Sequence, residues 1–229
     1  IVQLKNSVGL CYYIGIGVKQ NYVEAVKWYR KAANQQNSAA QNNLGWCYQE
    51  DLGLEKDCNE AVKWYRRAAE NGNSVAQDNL GDSYYIGRGD RQNYKEAAKW
   101  YRMAAEQGNR TAQNSLGNCY YYGNGVEQNY IEAVRWYRQA AEQGLCNAQN
   151  NLANCYFNGK GIIQDYVEAV KWYRMAAEQG YSNAQNNLGY CYYNGKGVIR
   201  DYAESIKWYR KAASRGSESA KRMLERLGE

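Results

Sequence analysis

Trp-Tyr-Arg occurs six times, headed by Trp28, Trp64, Trp100, Trp136, Trp172 and Trp208, each copy 36 residues after the last with no insertion between them. No other feature constrains the fold as tightly. A fixed period between about 20 and 50 residues marks a stacked array whose units cannot bury their apolar faces alone. A length of 229 residues would otherwise suggest one or two globular domains. The expectation is a single array over 1–229, with repeats near 4–39, 40–75, 76–111, 112–147, 148–183 and 184–219 and a closing helix at 219–227.

The span from Ala184 to Gly216 shows the unit most clearly. Ala184, Leu188, Cys191 and Tyr192 fall on one helical stripe, with Gly189 beside it where a neighbouring helix can come close. Asn194-Gly195-Lys196-Gly197 then stops the helix with residues that accept positive φ. Asp201 followed by Glu204 reads as a capping box opening a second helix, and the pair recurs as Asn21/Glu24, Asp57/Glu60, Asn93/Glu96, Asn129/Glu132 and Asp165/Glu168. Ser205, Trp208, Tyr209, Ala212 and Ala213 trace the second helix's stripe, aromatic knobs facing small alanine holes. Each buried aromatic removes about 150–250 Å² from water, an upper bound of about 4–6 kcal/mol.

Three segments depart from the pattern. Gln49-Glu50-Asp51-Leu52 loses the first loop glycine, so the second repeat's turn is expected to differ locally. Ile1 to Gly9 matches poorly, as a truncated first repeat would, and the chain reads as a piece of a longer protein. Ser219 to Leu227 keeps Ala220 and Leu224 in register but surrounds them with Lys221, Arg222, Glu225 and Arg226, a polar closing helix.

The pattern A-x-x-x-L-G-x-x-Y-x-x-G-x-G-V-x-x-D-Y-x-E-A-x-K-W-Y-x-x-A-A-x-x-G closely resembles the Sel-1-like repeat, a relative of the tetratricopeptide repeat, across essentially the whole chain. The resemblance implies an all-α fold, a right-handed α/α superhelical solenoid of six helix-turn-helix repeats, acting as an adaptor that holds protein assemblies together. One bacterial branch of the family staples each helix pair with a disulfide. Here the recurrent cysteine appears once per repeat, at Cys11, Cys47, Cys119, Cys155 and Cys191, with Ser83 in the remaining copy. Equivalent positions in stacked helix pairs lie beyond the ~7 Å reach of a disulfide. The thiols are read as free, small and buried, which fits reduced, cytoplasmic-type surroundings best.

Chemistry is sparse. The chain has no His, which removes Ser-His-Asp and Cys-His nucleophile activation and the commonest metal ligand. The Gly-x-Gly pairs, such as Gly159/Gly161 and Gly195/Gly197, lack the third glycine and preceding strand of a phosphate loop and read as interhelix turns. Lys27, Arg30 and their equivalents read as a solvated outer face, and the net charge of +6 is too small and too spread to mark a nucleic-acid surface. No apolar run approaches the length of a membrane span. No enzyme activity, cofactor or metal site is expected.

Opposite the buried stripe of the first helices lies a second set, read at about 100° per residue. It comprises Asn42, Trp46 and Gln49; Asp78, Asp82 and Tyr85; Asn114, Asn118 and Tyr121; Asn150, Asn154 and Phe157; and Asn186, Tyr190 and Tyr193. If the first helices line a concave surface, as the tetratricopeptide relationship implies, these form a column of amides edged by aromatics. Asparagine offers both donor and acceptor and suits the backbone of an extended peptide, while aromatics add anchors. No lysine stands among the Asn positions, so a terminal carboxylate is not the obvious ligand feature. The expected function is non-enzymatic binding of a protein or peptide by a monomer, with a structural spacer or self-associating array as the alternative.

Overall fold

The computed structural model describes residues 2–229. All regular structure among them is helical. First helices α1 (Val2–Ile14), α3 (Ser38–Glu50), α5 (Ser74–Ile86), α7 (Arg110–Tyr122), α9 (Cys146–Asn158) and α11 (Ser182–Asn194) alternate with second helices α2 (Tyr22–Ala33), α4 (Cys58–Glu70), α6 (Tyr94–Glu106), α8 (Tyr130–Glu142), α10 (Tyr166–Glu178) and α12 (Tyr202–Ser214). Helix α13 (Glu218–Leu227) follows. Six helix-turn-helix repeats and a closing helix are what the 36-residue period predicts. By contacts, residues 2–112 with 124–126 form one compact unit, and 113–123 with 127–229 form another.

The capping residues act as read. Asn21 Oδ1 accepts from the Glu24 N–H at 3.1 Å and Asp201 Oδ1 from the Glu204 N–H at 2.9 Å, with matching bonds at each intervening second helix. Such caps each stabilise a helix by about 0.5–2 kcal/mol. The glutamates turn toward the lysine or arginine one turn on, as in Lys27–Glu24 at 2.6 Å and Arg135–Glu132 at 3.7 Å. The second repeat's turn keeps the common form instead of differing. Asp51 adopts the left-handed conformation itself (φ 59°), and the Leu52 N–H bonds Cys47 O at 3.0 Å, as the Lys160 N–H bonds Cys155 O.

Within each helix pair the tyrosine of Trp-Tyr-Arg lies flat on the first helix. A Cβ on Gly117 would stand 2.6 Å from the Tyr137 ring, and one on Gly9 2.6 Å from Tyr29, so the first repeat is closer to the pattern than its sequence suggests. Ala153 takes this position opposite Tyr173. The closing helix carries Glu225 there. In every Gly-x-Gly but the first, the second glycine has a separate cause. A Cβ on Gly161 would meet Tyr130 O at 2.1 Å, and one on Gly197 would meet Tyr166 O at 2.1 Å, because the turn rests on the preceding repeat's second helix.

The tryptophans divide, with Trp100, Trp136 and Trp208 buried and Trp28, Trp64 and Trp172 half-buried. Cys47, Cys119, Cys155 and Cys191 are buried, Cys11 is half-buried, and all are free thiols. Burial pushes each of the four buried thiols up to about 12, so they act as small core hydrophobes.

Arg30 and its equivalents depart from a purely solvated role. Arg30 donates to the Tyr48 hydroxyl at 2.9 Å and Arg66 to Tyr84 at 2.6 Å, while in the second unit Arg138 reaches Tyr156 at 2.8 Å and Arg174 reaches Tyr192. Each bond ties a second helix to the first helix of the next repeat. Buried glutamines make another tie. Gln149 Nε2 donates to Ala141 O at 3.2 Å while its Oε1 accepts from Gln179 at 2.8 Å, and Gln77 is held likewise by Ala69 O and Gln107. Buried amides satisfied at both ends fix register without leaving an orphaned polar group.

Candidate functional site

In the second unit, Asn114 and Asn150 are only 6% and 5% exposed. Asn151 Nδ2 donates to Asn114 Oδ1 at 3.0 Å, and Asn187 Nδ2 to Asn150 Oδ1 at 3.0 Å. Asn118 and Asn154 are half-buried and accept from the core tyrosines, Tyr137 at 2.7 Å and Tyr173 at 2.6 Å. The structure thus corrects the expectation of a column of free amides. The acceptor ends of these four residues are used within the protein, tying first helix to first helix and first helix to tyrosine. The donors Asn151 and Asn187 sit one residue beyond the positions the sequence singled out, and the helix that covers the column belongs to the next repeat.

The aromatic members behave differently. Tyr121 is half-buried against Tyr130, with centroids 5.1 Å apart, and Tyr193 rests on Tyr202 at 5.3 Å. Tyr190 is 45% exposed with its ring edge toward Phe157 at 6.0 Å. Asn186 is half-buried beside it. Between α11 and α13 opens a hollow of about 380 Å³ lined by Asn186, Tyr190, Tyr193, Tyr209, Met223 and Arg226 among others.

In the first unit, Asn42 Oδ1 accepts from Asn79 at 2.9 Å, and the 38%-exposed Trp46 donates its indole N–H to the Tyr13 hydroxyl at 3.2 Å. A hollow of about 290 Å³ beside them is lined by Leu10, Tyr13, Tyr29, Asn42, Trp46 and Val75 among others. Carboxylates stand at the amide positions of α5. Asp82 accepts from Tyr101 at 2.6 Å, and Asp78 accepts from the Thr111 hydroxyl. Burial, reinforced by the charge of Asp82 and opposed by the Thr111 hydrogen bond, pushes the Asp78 carboxyl up to about 7.

These features define a class, an all-α helical-repeat protein whose polar side chains chiefly bind repeat to repeat and whose first helices leave aromatics open. A model of the Sel1 repeat matches residues 6–37, 38–73, 74–109, 111–145, 146–181 and 182–217, and the chain belongs to the Sel1 repeat family. It is similar to c5321, a protective antigen with the SLR fold from uropathogenic Escherichia coli, at 40% identity and a TM-score of 0.88, covering 99% of this chain and 48% of that one. It thus spans about half the length of that relative. It is similar also to a Sel1 repeat protein from Oxalobacter formigenes, at 38% identity and a TM-score of 0.85, covering 93% of this chain and 85% of that one. No curated protein matches it. Sel1 repeats are in general protein–protein interaction modules without catalytic activity.

Proposed function

We propose that the chain is a non-enzymatic adaptor that binds a protein or an extended peptide on the face of its first helices. The reading rests on one observation. In a chain whose core tyrosines are closed in between helices, Trp46 and Tyr190 stay open on the first helices beside hollows large enough for a side chain. Exposed aromatics next to concave, largely apolar pockets are what interaction anchors require. In the second unit Tyr121 and Tyr193 add further aromatics to the first helices. Within their own units Asn42, Asn114, Asn118, Asn150 and Asn154 hold neighbouring helices in register and offer their remaining amide hydrogens to a ligand backbone, and Asn186, which makes no such tie, offers its whole amide.

The test uses the open residues, since replacing the buried Asn114 or Asn150 would disturb folding. A partner captured from source lysate by the parent and lost by a Trp46→Ser, Tyr190→Ser variant with an unchanged melting curve supports the adaptor reading. Equal capture by both overturns it, and a sedimentation coefficient that rises with concentration would move the function to self-association.

A further inference from the structure

In the second unit, Tyr137 and Tyr173 donate their hydroxyls to Asn118 and Asn154 of their own first helices. The sixth repeat breaks that arrangement. The matching position on α11 is Tyr190, whose ring turns to Phe157. Tyr209 is therefore left 2% exposed with no hydrogen-bond partner among the described residues, lining the hollow between α11 and α13. The amide tie lapses in the same place. Met223 stands where Asn151 and Asn187 donate, so Asn186 receives no amide hydrogen from α13. Arg226 takes the position that Asn118 and Asn154 occupy in earlier repeats and makes no ion pair among the described residues, where the Glu229 carboxylate is engaged by Arg210. No carboxylate lines the hollow.

A guanidinium, the hydroxyl of a core tyrosine and an open amide thus face a common space of about 380 Å³ with no anion to balance them. We propose that this hollow binds the C-terminal carboxylate of a peptide whose last residue is apolar. The carboxylate meets Arg226, Tyr209 and Asn186, and the terminal side chain lies against Met223 and the rings of Tyr190 and Tyr193. A charge-assisted bond to arginine is the strongest contact such a group can make here. The terminal residue carries its carboxylate and its side chain on one Cα, so a single residue fills both the polar and the apolar wall. A glutamate or aspartate side chain would leave the apolar wall empty. The closing helix supplies the cation that the Asn positions lack. This inference rests on the adaptor reading and narrows its partner.

The experiment titrates ¹⁵N-labelled protein with acetyl-Ala-Ala-Ala-Leu, its C-terminal amide, and acetyl-Ala-Ala-Glu-Ala-amide, following backbone amide shifts. The free acid should shift resonances of α11 and α13 saturably, with the amidated peptide at least about tenfold weaker, the ~1.4 kcal/mol that one charged contact readily supplies. Arg226→Gln, an exposed change, should weaken the free acid about tenfold; Tyr209→Phe should weaken it several-fold with the melting temperature unmoved. Equal affinity for acid and amide, equal affinity for the glutamate peptide, no saturable shift with any peptide, or an unchanged Kd in Arg226→Gln would each overturn the proposal. Lysate capture separates the two readings. If Arg226→Gln keeps a partner that Trp46→Ser, Tyr190→Ser loses, the adaptor stands and the carboxylate site falls.

Discussion

Tyr173 and Tyr209 hold the same place in the motif of two consecutive repeats, yet their roles differ. Tyr173 gives its hydroxyl to Asn154 and becomes part of the scaffold. Tyr209, equally buried, faces Tyr190 instead and keeps its hydroxyl for the hollow. One residue on the facing first helix decides which. A repeat array can therefore hold its core motif constant and still differentiate a single repeat, provided the change falls where a polar tie would otherwise close.

The comparison can be broken most severely at its base. Gly117→Val should cost about 3 kcal/mol or more and lower the melting temperature by about 6–12 °C, since its Cβ would press on the Tyr137 ring. Gly117→Ala should cost only about 1 kcal/mol, because Ala153 already sits opposite Tyr173. Differential scanning calorimetry of the pair would show whether the tyrosine can yield.

A smaller effect concerns the carboxylate at an amide position. The folded Asp78 carboxyl titrates near 7, above its unfolded value. The unfolded chain thus binds fewer protons than the native one between the two values, and stability contributed by protonated Asp78 is present at low pH and lost as pH rises through about 7. Asp78→Asn should raise the melting temperature by a few degrees at pH 8 and change it little near pH 4. A gain at pH 4 as large as that at pH 8 would show that Asp78 does not titrate in this window.

The finest contrast is between hydroxyls. Tyr173→Phe should lose about 1 kcal/mol, or about 2–4 °C, by leaving Asn154 short of a donor, while Tyr209→Phe should fall within about 0.5 kcal/mol of the parent. Tyr190→Asn should give Tyr209 an acceptor, raise stability by up to about 1 kcal/mol and abolish peptide-acid binding. Thermal melts of the three variants decide whether the sixth repeat's hydroxyl is free.

Much of this was legible in the residues. The period, the Asn/Asp caps, the Gly-x-Gly turns and the free cysteines follow from local rules that one repeat states and most of the others restate. The face of the first helices was legible only in part. Spacing places Asn114 and Asn150 opposite their own second helix, but it does not say that the next first helix covers them. Asn151 and Asn187 look like ordinary surface amides, and Arg138 and Arg174 like solvated cations, until the neighbouring repeat brings Asn114, Asn150, Tyr156 and Tyr192 within reach. Burial made by a neighbouring copy carries no signature inside a 36-residue window. Arg226 looks in the sequence like part of a polar cap for the same reason. Its hollow exists only where α11 and α13 meet.

The amide ties have a direction. Asn150 accepts from the repeat that follows, while Asn151, its neighbour on the same helix, donates to the repeat before. A copy like the second or the fifth thus carries a plug on one side and a socket on the other, and a duplicate of such a segment arrives already fitted to both its neighbours. Lineages built from such segments can lengthen or shorten by recombination without inventing a new interface, and selection is left free to work on the few positions, such as Tyr190 and Arg226, where the fitting is omitted.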